Sequence, residues 1–131
     1  MTDKKAPRGN SLRRARANPV TGCPLTAALA AVGGKWKLII LYWLAEEPVH
    51  FAALRRKMPG ISQKVLTQQL RELQGDGIVH REAPARAALP VIYSLTPYGR
   101  SVLPLVDNVR RWGRSHLARQ PERDRGPRTG A

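Results

Sequence analysis

Acidic residues are scarce in this chain, and so are aromatics, cysteine and long apolar runs. Nine Asp and Glu stand against 23 Lys and Arg among 131 residues. No paired carboxylates and no nucleophile–base motif stand out, so an enzyme is not the expected reading. A single cysteine, Cys23, excludes a disulfide framework within one chain. With no secretory leader or membrane-length segment recognisable, it points to a reducing, cytoplasmic setting. His50, His80 and His116 are widely spaced and no HxxxH or CxxC motif accompanies them, so neither a metal nor a cofactor is expected. The longest apolar stretch, Leu38 to Ala45, is too short to span a bilayer, and no membrane partner is expected. Aromatics make up only 5% of the chain, so the core must be mainly aliphatic.

What is abundant is positive charge, a formal net of +14. Residues 1–22 hold six Lys/Arg and one acid, lack apolar periodicity and include Pro7, Gly9, Pro19 and Gly22. They read as a disordered basic arm. Residues 119–131, rich in Arg, Pro and Gly, read as a disordered tail. The remainder, 23–118, is long enough for one domain and still carries thirteen basic against six acidic residues. A folded part that is basic in itself expects a polyanionic partner.

Along that domain the signals alternate between helix and turn. Pro24 suits the first turn of a helix to Val32, with Leu25, Leu29 and Val32 on one face, and Gly33-Gly34 ends it. Lys35 to Ala45 is apolar almost all round, as in a central core helix or one whose second side meets another subunit. Val49 to Phe51 can form a short strand, and Phe51 to Lys57 a short helix. After the Met58-Pro59-Gly60 turn, Ser62 is a good N-cap for a helix that runs to the Gly75-Asp76-Gly77 stop, with Leu66, Leu70 and Leu73 as its core stripe. Two helices across such a turn make a helix-turn-helix unit. Ile78–Glu82 and Val91–Leu95 alternate as strands, and Ala83–Pro90 between them projects as a wing. Thr96-Pro97 starts a last helix, which Pro104 should kink. The expected fold is mainly α with a small β-hairpin (α+β): a winged helix-turn-helix with extra N- and C-terminal helices.

The helix after Ser62 carries the chemistry. Lys64, Thr67, Gln68 and Arg71 stand at i, i+3, i+4 and i+7, with Gln63 beside them and Glu72 to one side. Long amides and cations on one face are the groups that read purine edges and clamp phosphates in a major groove. An ordinary solvated face would look similar in isolation; the basic domain, the turn and the hairpin favour double-stranded DNA as partner. Arg55, Arg56 and Lys57 suit phosphates better than bases, and Arg86 is the lone charge at the wing tip. Lys35 and Lys37 begin a helix, where a cation gains nothing from the dipole and so points to an anion nearby. The competing reading is a nonspecific basic protein that binds DNA or RNA, for which amides on the helix would be superfluous.

The runs CPLTAALAAVGGKWKLIILYWL, FAALRRKMPGISQKVLTQQLRELQGDGIVHRE and YSLTPYGRSVLPLVDNVRRWG together resemble the HxlR family of bacterial transcriptional regulators, relatives of the MarR group. The likeness covers about Cys23 to Trp112 and departs from the pattern at His50, Pro90 and Ile92. It implies a regulator acting as a homodimer on a palindromic operator, with the first and last helices as interface. Leu25, Leu29, Val102, Leu105, Val106, Val109 and Trp112 would form that interface. It also implies a sensing role for Cys23, since several members respond to electrophiles or oxidants at the matching position. The residues alone leave Cys23 open: a thiol at a helix N-terminus in a basic chain favours thiolate, and a small buried Cys is equally ordinary.

Overall fold

The computed structural model describes residues 22–130, with side chains from Gly22 to Arg119. The basic arm expected at 1–22 lies outside them, save Gly22. Helix α1 runs Pro24–Val32, with Cys23 as N-cap and Gly33 as C-cap. Gly34 follows at φ 93°, a left-handed turn that Gly adopts without strain. Helix α2, Lys37–Leu44, meets α1 at a bend of 71° and starts two residues later than the apolar pattern predicts. Ile40, Leu41 and Leu44 on α2 are fully buried, whereas Ile39 and Tyr42 reach the surface. The all-apolar helix is therefore central on one side and bare on the other.

Strand β1 (Val49–His50) leads directly into α3 (Phe51–Arg56), whose first turn is capped by His50: its Nδ1 accepts the Ala53 N–H at 3.3 Å. Helix α4, Gln63–Gly75, opens at Ser62, whose hydroxyl accepts the Val65 N–H at 3.0 Å. It ends before Gly77, at φ 76°. Leu66, Leu70 and Leu73 are buried together with Leu54, Met58, Ile61 and Ile78, so the core stripe of α4 is seated as its spacing predicts.

Strands β2 (Val79–Glu82) and β3 (Ile92–Leu95) form the hairpin, Val79 opposite Leu95 and Glu82 opposite Ile92. β1 pairs antiparallel on the other edge of β3, giving a three-stranded sheet in the order β1-β3-β2. This ties α3 to the wing.

The last helix is two. Thr96 caps α5 (Pro97–Arg100) by accepting the Gly99 N–H at 2.8 Å, and donates its own proton to the Gly77 carbonyl at 2.6 Å. That hydroxyl joins the end of α4 to the start of α5. Gly99 is required there, because a Cβ would collide with the Ile78 carbonyl. Helix α6, Leu103–Gly130, follows after Ser101-Val102. The break thus precedes Pro104 rather than falling on it. Pro104 sits in the first turn of α6, where a missing N–H costs no hydrogen bond. Helical backbone continues across 119–130, where the composition predicts a tail; elongating a formed helix costs far less than starting one.

Candidate nucleic-acid interface

Helix α4 presents two flanks beyond its buried stripe, and they differ. On one, Gln63, Thr67 and Arg71 line a groove of about 520 Å³ together with Gln74; Arg81 and Tyr93 of the sheet and Val91 just before β3 close it, with Phe51 at its end. Arg81 and Gln74 were not singled out in the sequence. Arg81 lies opposite Tyr93 in the β2–β3 register, so the signal was the phase of the β2 alternation. The wing strands thereby add a cation to the face that α4 begins.

Gln63 also borders a second groove, of about 610 Å³, with Arg55 and Arg56 on α3 and the Met58–Ile61 turn. Arg55 reaches across that turn: its Nε donates to the Ile61 carbonyl at 3.4 Å. Arg56 is exposed beside it. The two grooves meet at Gln63, the first residue of α4, so one surface carries Arg55, Arg56, Gln63, Thr67, Arg71 and Arg81. Lys64 is exposed on the same outer half of α4.

The other flank is held from behind. Gln68 Nε2 donates to Glu72 Oε2 at 3.0 Å, and Glu72 Oε1 pairs with Lys37 Nζ at 2.6 Å. Lys37 is buried, and Glu72 is the anion that a lysine at a helix start calls for. Gln68 therefore stands apart from the groove of Gln63, Thr67 and Arg71. Lys35 stays exposed with its ammonium over the Trp36 ring, 4.8 Å from the centroid. Arg86 is exposed in the wing loop. Lys57 lies over Trp43 at 4.9 Å, on the side of α3 that faces α2.

Cys23 is partly exposed at the N-cap of α1. The backbone and hydroxyl donors of Thr26 hold its thiol below the usual range, the Leu25 N–H adds to this, and desolvation opposes it. These N–H groups are the unpaired donors of the first turn, which favour a thiolate.

Of the residues assigned to a dimer seam, Leu25 and Leu29 are 66% and 60% exposed, and Leu105, Val109 and Trp112 are exposed too. Val106 is instead buried in the protomer's own core and Val102 packs on it, because this side of α6 lies against α2. Among the described residues no group of three or more His, Cys, Asp or Glu could hold a metal, and no single helix is long and apolar enough to cross a membrane.

The fold is shared with known proteins. The family model described as HxlR-like helix-turn-helix matches residues 31–121. YybR of Bacillus subtilis, described as an uncharacterized HTH-type transcriptional regulator, is 45% identical over 95 residues, 72% of this chain and 76% of its own length. Among solved structures, the redox regulator HypR in its reduced form superposes with a TM-score of 0.70 at 43% identity, over 72% of this chain and 94% of that one. The reduced transcriptional regulator YodB of B. subtilis does so at 0.60 and 31%, over 69% and 89%.

Proposed function

Because the chain belongs to the HxlR-like helix-turn-helix family and is a transcriptional regulator with a helix-turn-helix DNA-binding fold rather than an enzyme, we propose that it works in the cytoplasm as a homodimer on a palindromic operator. The domain that does so is 23–118, flanked by the basic arm and the tail. Helix α4 enters the major groove, with Gln63, Lys64, Thr67, Gln68 and Arg71 as its base and phosphate contacts. Arg55, Arg56, Lys35 and Arg86 hold the backbone on either side. The observation that carries this reading is the seating of α4: its leucines are buried, its N-terminus is capped, and its amides and cations are left outward beside a wing. A passive basic surface would need only Lys and Arg, so the amides favour sequence-specific reading over nonspecific DNA or RNA binding.

The test separates the two kinds of contact. Gln68→Ala is expected to weaken operator binding by about 1–3 kcal/mol while leaving random DNA nearly untouched. Arg56→Ala should weaken both alike and reduce the salt slope by about one unit. An operator-to-random affinity ratio for Gln68→Ala equal to that of the unaltered protein would remove Gln68 from the reading face.

Regulation through Cys23 by an oxidant or electrophile is the second part of the proposal. The lowered thiol pKa, the partial exposure and the likeness to a protein described as a redox regulator support it. An adduct at the first turn of α1 would load a helix that packs on α4. With the pKa depressed, alkylation by iodoacetamide should stay fast as pH falls below the ordinary thiol value of about 8.5, and slow only below the folded-state value. The chain unfolded in denaturant should slow at the ordinary value instead. A diamide titration in a gel shift then compares the protein with Cys23→Ser. Superimposable pH profiles for folded and unfolded chain, and equal DNA affinity for both proteins throughout, would leave Cys23 as packing.

A further inference from the structure

We propose that Glu72, anchored by Lys37, is a positioning residue that sets the orientation of the Gln68 amide so that Gln68 reads an adenine in each half-site. This rests on the proposed entry of α4 into the major groove. At 100° per residue Gln68 lies almost diametrically opposite Leu66, Leu70 and Leu73, so it is among the outermost side chains of the helix. Its Nε2 is bound to Glu72 Oε2 one turn along at 3.0 Å. Glu72 is in turn fixed through Oε1, at 2.6 Å from the Lys37 ammonium. The Lys37 side chain is 5% exposed, so water competes little for it and the carboxylate is held from the protein side.

An ionised carboxylate only accepts hydrogen bonds, so the edge of the Gln68 amide turned toward Glu72 must be the nitrogen edge. The alternative flip would set two acceptors against each other. With one N–H committed to Glu72, the outward edge shows the carbonyl oxygen beside the second N–H. An acceptor next to a donor matches the N6 amino group and N7 of adenine. Guanine offers two acceptors there, cytosine a donor alone, and thymine an acceptor and a methyl group. Lys37 has a second effect: it neutralises the only acid on α4, which would otherwise repel the phosphates.

The experiment uses the full chain and duplexes selected from a randomised pool by the unaltered protein. Each base pair of a half-site is then replaced in both halves, and affinities are read by fluorescence anisotropy at one salt concentration. At one A·T pair, A→G is expected to cost about tenfold in affinity. That preference should vanish in Gln68→Ala. It should also vanish in Lys37→Met/Glu72→Leu, which replaces the ion pair with apolar side chains, while other positions keep their profile. Glu72→Gln, of unchanged size, is read in parallel; it can offer either amide edge to Gln68, so discrimination between A and G should shrink at the same pair only. The inference is overturned if a variant lacking the carboxylate, with a native melting curve, keeps the preference that Gln68→Ala abolishes. It is overturned equally if that preference is for a base other than adenine, or if all positions weaken together. A protein that binds every duplex alike would overturn the proposed function itself, and this inference with it.

Discussion

Replacing Leu29 with glutamate is expected to dissociate the proposed homodimer and to abolish operator binding at concentrations where the unaltered protein saturates. Leu29 is 60% exposed on α1, and Leu25 one turn earlier is 66% exposed, so neither stabilises the isolated protomer appreciably. Their faces, with Val109 and Trp112 on α6, form apolar surface that a single protomer leaves in water. In a two-fold interface each leucine is buried twice. At about 1.5–3 kcal/mol for a fully buried leucine, the 60% of Leu29 still exposed contributes roughly 2–4 kcal/mol per dimer, before the cost of burying a carboxylate is added. Since about 1.4 kcal/mol is tenfold, the dimer dissociation constant should rise more than a hundredfold. A monomer can hold only one half-site. Sedimentation velocity and DNA anisotropy on the same samples check this. A Leu29→Glu protein that still sediments as a dimer would place the interface elsewhere.

Leu70→Ala acts on a different link. Leu70 is 1% exposed, in the middle of the α4 stripe between Leu66 and Leu73. Truncation leaves a cavity in a close-packed core and is expected to cost about 2–5 kcal/mol. Against a typical total of about 5–15 kcal/mol this is a large fraction, and a domain of this size should melt roughly 10–30 °C lower. The contrast with Gln68→Ala is informative. One removes the seat of the recognition helix and loses DNA binding with the fold; the other should melt within a few degrees of the unaltered protein. Equal melting temperatures for Leu70→Ala and the parent would contradict the packing described for α4.

Much of this was legible in the residues, for local reasons. Helical spacing found Leu66, Leu70 and Leu73, and the rule that a hydroxyl caps a first turn found Ser62 and Thr96. Those signals act over four residues, so the linear chain contains them. Pairings over longer separations were hidden. Lys37 calls for an anion nearby, but nothing local names Glu72, 35 positions later, as that anion. β1 gave only a weak strand signal because its partner β3 lies beyond the whole of α4. The division of α4 into a groove flank and a tethered flank depends on what packs at each side, which periodicity cannot express. Arg81 entered the site from the hairpin register, and Val106 left the dimer seam because α2 covers it. Pro104 stands in the first turn of α6 and does not kink a continuous helix, because its fixed geometry suits a helix start as well as a kink.

In the proposed function, two copies of α4 read two symmetric half-sites. Footprinting of the DNA upstream of the coding sequence, with the full chain and at fixed salt, tests it most directly. Two protected segments of inverted sequence are expected, their centres about one helical turn (~10 bp) or a small multiple apart on one face of the duplex. Both should disappear together with Leu29→Glu. A single protected segment, or uniform protection without sequence preference, would contradict it.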